Sequence, residues 1–262
     1  MLEAAISALR EGDAAKAEQL AAALLTSQGT NLRAALVLGQ ALLMQDRAQE
    51  AIDPLESALR HDDDPGARLL LARAFALLGR EVEGLDHLRR ATSRRPPFPP
   101  AFLELARLLG RLGRLEEGVA VIEAGLELTP EDAALSIGLG YLHLERDDRA
   151  KARVAFLRAR SAAPERGDAM VALASVLALD GDHAAAADLY RQALIARPDD
   201  QVTRINLAKC LLELGERGAG EDALRAAARS EPRLVGSVIA ALARAPHGRF
   251  FLRPSAAADF FA

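Results

Sequence analysis

Five histidines and a single cysteine are the side chains of this sequence best suited to catalysis or metal binding. Their spacing gives them little to work with. His61-Asp62-Asp63-Asp64 puts an imidazole beside three carboxylates, the donor types of a cation site. The same four residues also read as a solvated loop, where polar side chains gather anyway. His143 stands in an apolar stretch between Leu142 and Leu144, either packed or pH-sensing. His87, His183 and His247 have no partner residues near them in sequence, and Cys210 has no His or Asp spaced to activate it. No phosphate-binding glycine loop and no Gly-x-Ser-x-Gly occurs. No catalytic residue, metal site or cofactor is therefore expected. Two arginines are more informative: Arg73 and Arg107 stand 34 residues apart.

That interval is the period of the whole chain. Units open at Leu32, Pro65, Pro99, Ala133, Gly167 and Gln201 in near-perfect register. The seventh place of each is Leu38, Leu71, Leu105, Leu139, Leu173 and Leu207. The eighth is Gly39, Ala72, Ala106, Gly140, Ala174 and Ala208, and the twentieth is Ala51, Gly84, Gly118, Ala152, Ala186 and Gly220. The twenty-fourth is bulky, for example Leu55, Phe156 and Tyr190, and the twenty-seventh is Ala or Gly throughout. Pro96, Pro130, Pro164, Pro198 and Pro232 close the units. Small residues at fixed places let two helices cross within about 8–10 Å, and a proline ends the second helix of a pair. Gly12-Asp13, Asp147-Asp148 and Asp180-Gly181-Asp182 read as the turns between paired helices, releasing one and capping the next. His143 takes the eleventh place, where other units carry Leu42, Phe75, Leu109, Leu177 and Leu211.

This pattern resembles the tetratricopeptide repeat (TPR), over nearly the entire chain. The resemblance implies an all-α, right-handed superhelix of about seven helix pairs. The units fall near 1–31, 32–64, 65–98, 99–132, 133–166, 167–200 and 201–233, followed by a capping helix over 234–245 and a phenylalanine-rich tail over 246–262. It further implies a concave groove lined by the first helices, onto which the second, fifth, ninth and twelfth places point. The fifth place holds Leu36, Leu69, Leu103, Ile137, Val171 and Ile205; the ninth holds Gln40, Arg73, Arg107, Tyr141, Ser175 and Lys209. Arg33 and Arg111 add positive charge to the first half. The apolar ladder is either structural or a binding stripe. The arginine pair invites a carboxylate, unless Glu104 already neutralises one of the two. Family members that clamp a terminal carboxylate use lysine at the fifth place and asparagine at the ninth; neither stands here. Members that hold glycosyltransferase substrates use an asparagine ladder at the sixth, where only Asn206 matches.

A net charge of −4 gives no sign of general nucleic-acid binding. Every apolar run is broken by charge well short of about 18–20 residues, so no membrane insertion is expected. One cysteine and the lack of a leader-like N-terminus fit a cytoplasmic protein. Phe250, Phe251, Phe260 and Phe261 are half of the eight phenylalanines. They are expected to cap the last repeat, to enter a groove of the same or another copy, or to dock on a partner. The expected function is a non-catalytic scaffold that holds a protein or peptide, apolar with acidic groups, in its groove. The alternative is a targeting or regulatory module of a larger enzyme or secretion machine.

Overall fold

A computed structural model describes residues 1–29, 31–244 and Phe260. Among these every regular element is helical. The chain runs α1 (Leu2–Arg10), α2 (Ala14–Gln28), α3 (Leu32–Met44), α4 (Ala48–Leu59), α5 (Pro65–Leu77), α6 (Glu81–Thr92), α7 (Pro99–Arg111) and α8 (Leu115–Leu128). It continues with α9 (Ala133–Glu145), α10 (Arg149–Ala162), α11 (Gly167–Leu179), α12 (His183–Ala196), α13 (Gln201–Glu213) and α14 (Arg217–Ser230). One turn of 3-10 helix, Pro232–Leu234, leads into α15 (Val235–Arg244). Two compact units result, Met1–Pro130 with α1–α8 and Glu131–Ala262 with α9–α15. No described helix is long and apolar enough to cross a membrane.

Each helix pair reverses at one residue in the left-handed backbone region. Five of these residues are glycines, such as Gly113 (φ 73°) and Gly181 (φ 87°), and two are Asp46 (φ 58°) and Asp147 (φ 56°). Six of the following helices are then held at their start in one of two ways; α14, which begins after Glu216, has no side-chain cap. Asp13, Asp148 and Asp182 accept a hydrogen bond from the amide three residues on. Where Arg47, Arg80 or Arg114 stands there instead, its guanidinium forks onto Glu50, Glu83 or Glu117 with bonds of 2.6–2.7 Å. First helices α3, α5, α9 and α13 are capped by Asn31, Asp64, Asp132 and Asp200.

The small residues sit where the helices of a pair cross. A Cβ on Gly39 would come within 2.8 Å of Leu55, and one on Gly140 within 2.2 Å of the Phe156 ring. From the other helix, a Cβ on Gly84 would meet the Ala72 carbonyl at 3.1 Å. Eighth and twenty-fourth places thus form a knob and its socket. In the N-terminal unit Leu55, Leu71, Leu88 and Leu108 are wholly buried; in the C-terminal unit Phe156, Leu173 and Leu212 are. The end of the C-terminal unit is closed by Leu224, Val238 and Leu242, against which Phe260 packs, with the Arg225 guanidinium 4.5 Å above its ring. Phe250, Phe251 and Phe261 lie outside the described residues.

Candidate functional site

The residues first suspected of chemistry have structural surroundings. Asp64 caps α5 through the Ala67 amide, and Asp63 pairs with Arg68 and Arg94. His143 is buried within α9, and His87 stacks on Phe75 with ring centroids 5.5 Å apart. Cys210 is buried, and loss of solvent pushes its thiol up to about 11, so it stays protonated and inert near neutrality. Among the described residues no three His, Cys, Asp or Glu side chains are grouped to hold a metal.

The apolar fifth place is not an open stripe. Leu69, Ile137 and Ile205 are buried, and Leu36, Leu103 and Val171 are half-buried. Leu36, Leu69, Ile137, Val171 and Ile205 pack in or against the hydrophobic clusters of their units, which favours the structural of the two readings left open for the ladder. Arg33 is exposed and reaches Glu3 only at 3.8 Å. Tyr141 is exposed along one edge, with its ring edge-on to Phe156 at 5.3 Å.

The ninth place does gather a site. In the N-terminal unit Gln40, Arg73 and Arg107 line one hollow of about 180 Å³ together with Arg111. Its walls also include Leu43, Met44, Ala76 and Leu77, from the twelfth and thirteenth places of α3 and α5. Its charged floor is Glu104, at the sixth place of α7 and 6% exposed. Arg73 Nε donates to Glu104 Oε2 at 3.1 Å, and Arg107 donates to the other carboxylate oxygen. Glu104 therefore bridges both arginines rather than neutralising one.

The C-terminal unit has a hollow of about 350 Å³ on the same places: Ser175, Ala178 and Leu179 of α11 face Asn206, Lys209 and Glu213 of α13. Here the charges are balanced and the walls include Tyr190 and Cys210. The Tyr190 hydroxyl lies 3.0 Å from Ser175 Oγ, and burial pushes its phenol up to about 12. Lys209 Nζ donates to Asn206 Oδ1 at 3.3 Å. Of the residues expected to bind, Gln40, Arg73, Arg107, Arg111, Ser175 and Lys209 thus line these two hollows; Arg33, Tyr141 and the fifth-place residues lie outside both. The sixth place and, apart from Arg111, the thirteenth were the missed part, although the same 34-residue register identifies them.

Comparison with known proteins agrees with this architecture. Two family profiles described as "Tetratricopeptide repeat" match residues 177–244 and residues 103–160 with 139–201, together more than half of the chain. A profile described as "Anaphase-promoting complex, cyclosome, subunit 3" matches residues 10–91. No curated protein matches the sequence. Among solved structures, the APC/C hetero-tetramer Cut9–Hcn1 is similar at 18% identity and a TM-score of 0.69, over 92% of this chain. This chain spans 48% of the length of that one. A thermophilic TPR protein of Thermus thermophilus is similar at 25% identity and a TM-score of 0.57, over 70% of this chain and 100% of its own. Pseudomonas aeruginosa pilF is similar at 18% identity and a TM-score of 0.63, over 77% of this chain and 92% of its own.

Proposed function

Because the chain belongs to the tetratricopeptide-repeat family, we propose that it is a non-catalytic protein-interaction scaffold seating a peptide or helical segment of a partner on its first-helix faces. A repeat fold alone does not fix function, so the reading must rest on a site. The observation that carries it is recurrence: in each unit the ninth, twelfth and thirteenth places of one first helix, with the sixth, ninth and thirteenth of a following one, open a lined hollow. These hollows join charged or polar groups to exposed apolar side chains such as Met44, Leu77 and Leu179. That mixture suits a polypeptide segment, which offers both kinds of group. The inert thiol of Cys210 fits a reducing cytoplasm as part of the same proposal.

Site-specific photocrosslinking in the native cell tests the reading. A photoreactive residue at Met44 or Leu179 should capture a partner, whereas one at Glu123 of α8 or Arg160 of α10 should not. Capture only from the second-helix positions would overturn the assignment of the face.

A further inference from the structure

We propose that the hollow of the N-terminal unit takes an acidic side chain of a partner polypeptide, with an apolar neighbour of that residue laid against Met44 and Leu77. The proposal deepens the scaffold reading and rests on it. Arg73, Arg107 and Arg111 line this hollow, and Glu104 is the one carboxylate among its walls. Glu104 is buried, and each of its oxygens is already taken, one by Arg73 and one by Arg107. Arg111 forms no ion pair with any described residue. Three cations against one anion leave a surplus of two positive charges.

Three other arginines of the same unit are neutralised differently. Arg47, Arg80 and Arg114, in the turns between paired helices, each hold a glutamate of their own in a two-bond fork. The hollow lacks that one-for-one neutralisation, in a chain whose net charge is −4. Guanidinium groups held together repel unless a further anion joins them, and a carboxylate matches their planar fork.

The choice of a carboxylate over a nucleic-acid phosphate follows from the rest of the lining. Met44 and Leu77 are exposed and apolar, at 44% and 60%. A phosphodiester chain gains nothing from them, whereas a leucine or methionine beside an acidic residue covers them. Gln40 adds an amide able to both donate to and accept from a peptide backbone. Glu104 has a second role. It holds Arg73 and Arg107 in place, and it competes for them with the incoming carboxylate.

The test uses the full chain and a labelled, capped hexapeptide in which two glutamates flank a leucine, followed by fluorescence anisotropy. Matched peptides carry glutamine or lysine in place of glutamate, and single-stranded oligouridylate serves as the phosphate probe. The glutamate peptide should bind, weaken with salt, and exceed the glutamine peptide by about tenfold or more. Arg107→Glu with Arg111→Glu, both on exposed positions, should abolish binding at unchanged helicity. Glu104→Gln, in protein verified as folded by circular dichroism, should strengthen it a few-fold by removing the competitor. Equal binding of the glutamine peptide, indifference to the double charge reversal, or tighter binding of the oligonucleotide would overturn the proposal. Crosslinks from Met44 or Leu179 combined with an indifferent double variant would sink this proposal and leave the scaffold reading standing. Crosslinks confined to the second helices would sink both.

Discussion

Gly140 and Gly218 are both helical glycines, and they set opposite expectations for the same substitution. Alanine is favoured over glycine inside a helix by about 0.5–1 kcal/mol. At Gly140 the new Cβ would lie 2.2 Å from the wholly buried Phe156 ring. Overpacking of that kind costs about 1–3 kcal/mol, which outweighs the gain. At Gly218 nothing lies within 4 Å, so only the gain remains. Urea denaturation should show Gly140→Ala destabilised and Gly218→Ala equal to or above the parent. Cys210 supplies a pH dependence. Burial raises its folded value to about 11, while an unfolded thiol ionises near about 8.5. The stabilising contribution is therefore whole below the unfolded value and is lost as pH rises through the folded one. Stability should fall through that alkaline window, and Cys210→Ala should flatten the fall there, measured as denaturation midpoints against pH.

Turns and crossings decide stability at the scale of the element. Asp46 and Asp147 take the left-handed conformation that glycine occupies in the other inter-helix turns. A non-glycine residue there costs about 1 kcal/mol, so Asp46→Gly and Asp147→Gly should each raise stability by up to that amount. An unchanged or lowered melting midpoint would show that the aspartates are not strained. Asp200 caps α13 through the Thr203 amide and also accepts from its hydroxyl. Asp200→Ala should cost about 1 kcal/mol, read from chemical denaturation. Ala186, wholly buried at a crossing, should not accept leucine without a cost of about 1–3 kcal/mol.

The helix pairs were legible in the sequence because such crossings tolerate only small residues, and Gly39, Ala152 and Gly220 mark them without ambiguity. The face proposed for binding was legible only in part. Fifth and ninth places differ by about 40° around the helix. That is enough to bury Leu69 while Arg73, one turn on, borders the hollow. Which side of the boundary a side chain takes depends on how closely the next pair packs, and no single repeat encodes that. Glu104 was missed as a bridging group for the same reason: its reach to Arg73 spans two helix pairs.

At the scale of the molecule, the pairs within a unit lean on one another, so a terminal repeat has a flank to cover. In the C-terminal unit, α15 and Phe260 cover that of α14. Phe260→Ala removes a ring buried against Val238 and Leu242 and held beneath Arg225. Hydrogen exchange should then quicken first in α14 and α15, with the remaining helices of the unit following; uniform protection would show that the ring contributes nothing to the closure.

The recurrence of the same repeat places around both hollows has a consequence for how such a chain can change. Packing is written at the eighth, twentieth and twenty-fourth places, whereas the lining of the hollows is written at the sixth, ninth, twelfth and thirteenth. Tyr190, at the twenty-fourth place and in the wall of the C-terminal hollow, belongs to both. Drift at the exposed members of the second set, such as Met44, Leu77, Arg107 and Leu179, would alter the lining while leaving the helix crossings intact. Duplication or exchange of a whole repeat moves an intact piece of surface chemistry to a new address. The three-arginine hollow and the balanced one around Lys209 are, in that sense, two words spelled in one alphabet, and their charge could be exchanged by substitution at the sixth, ninth and thirteenth places.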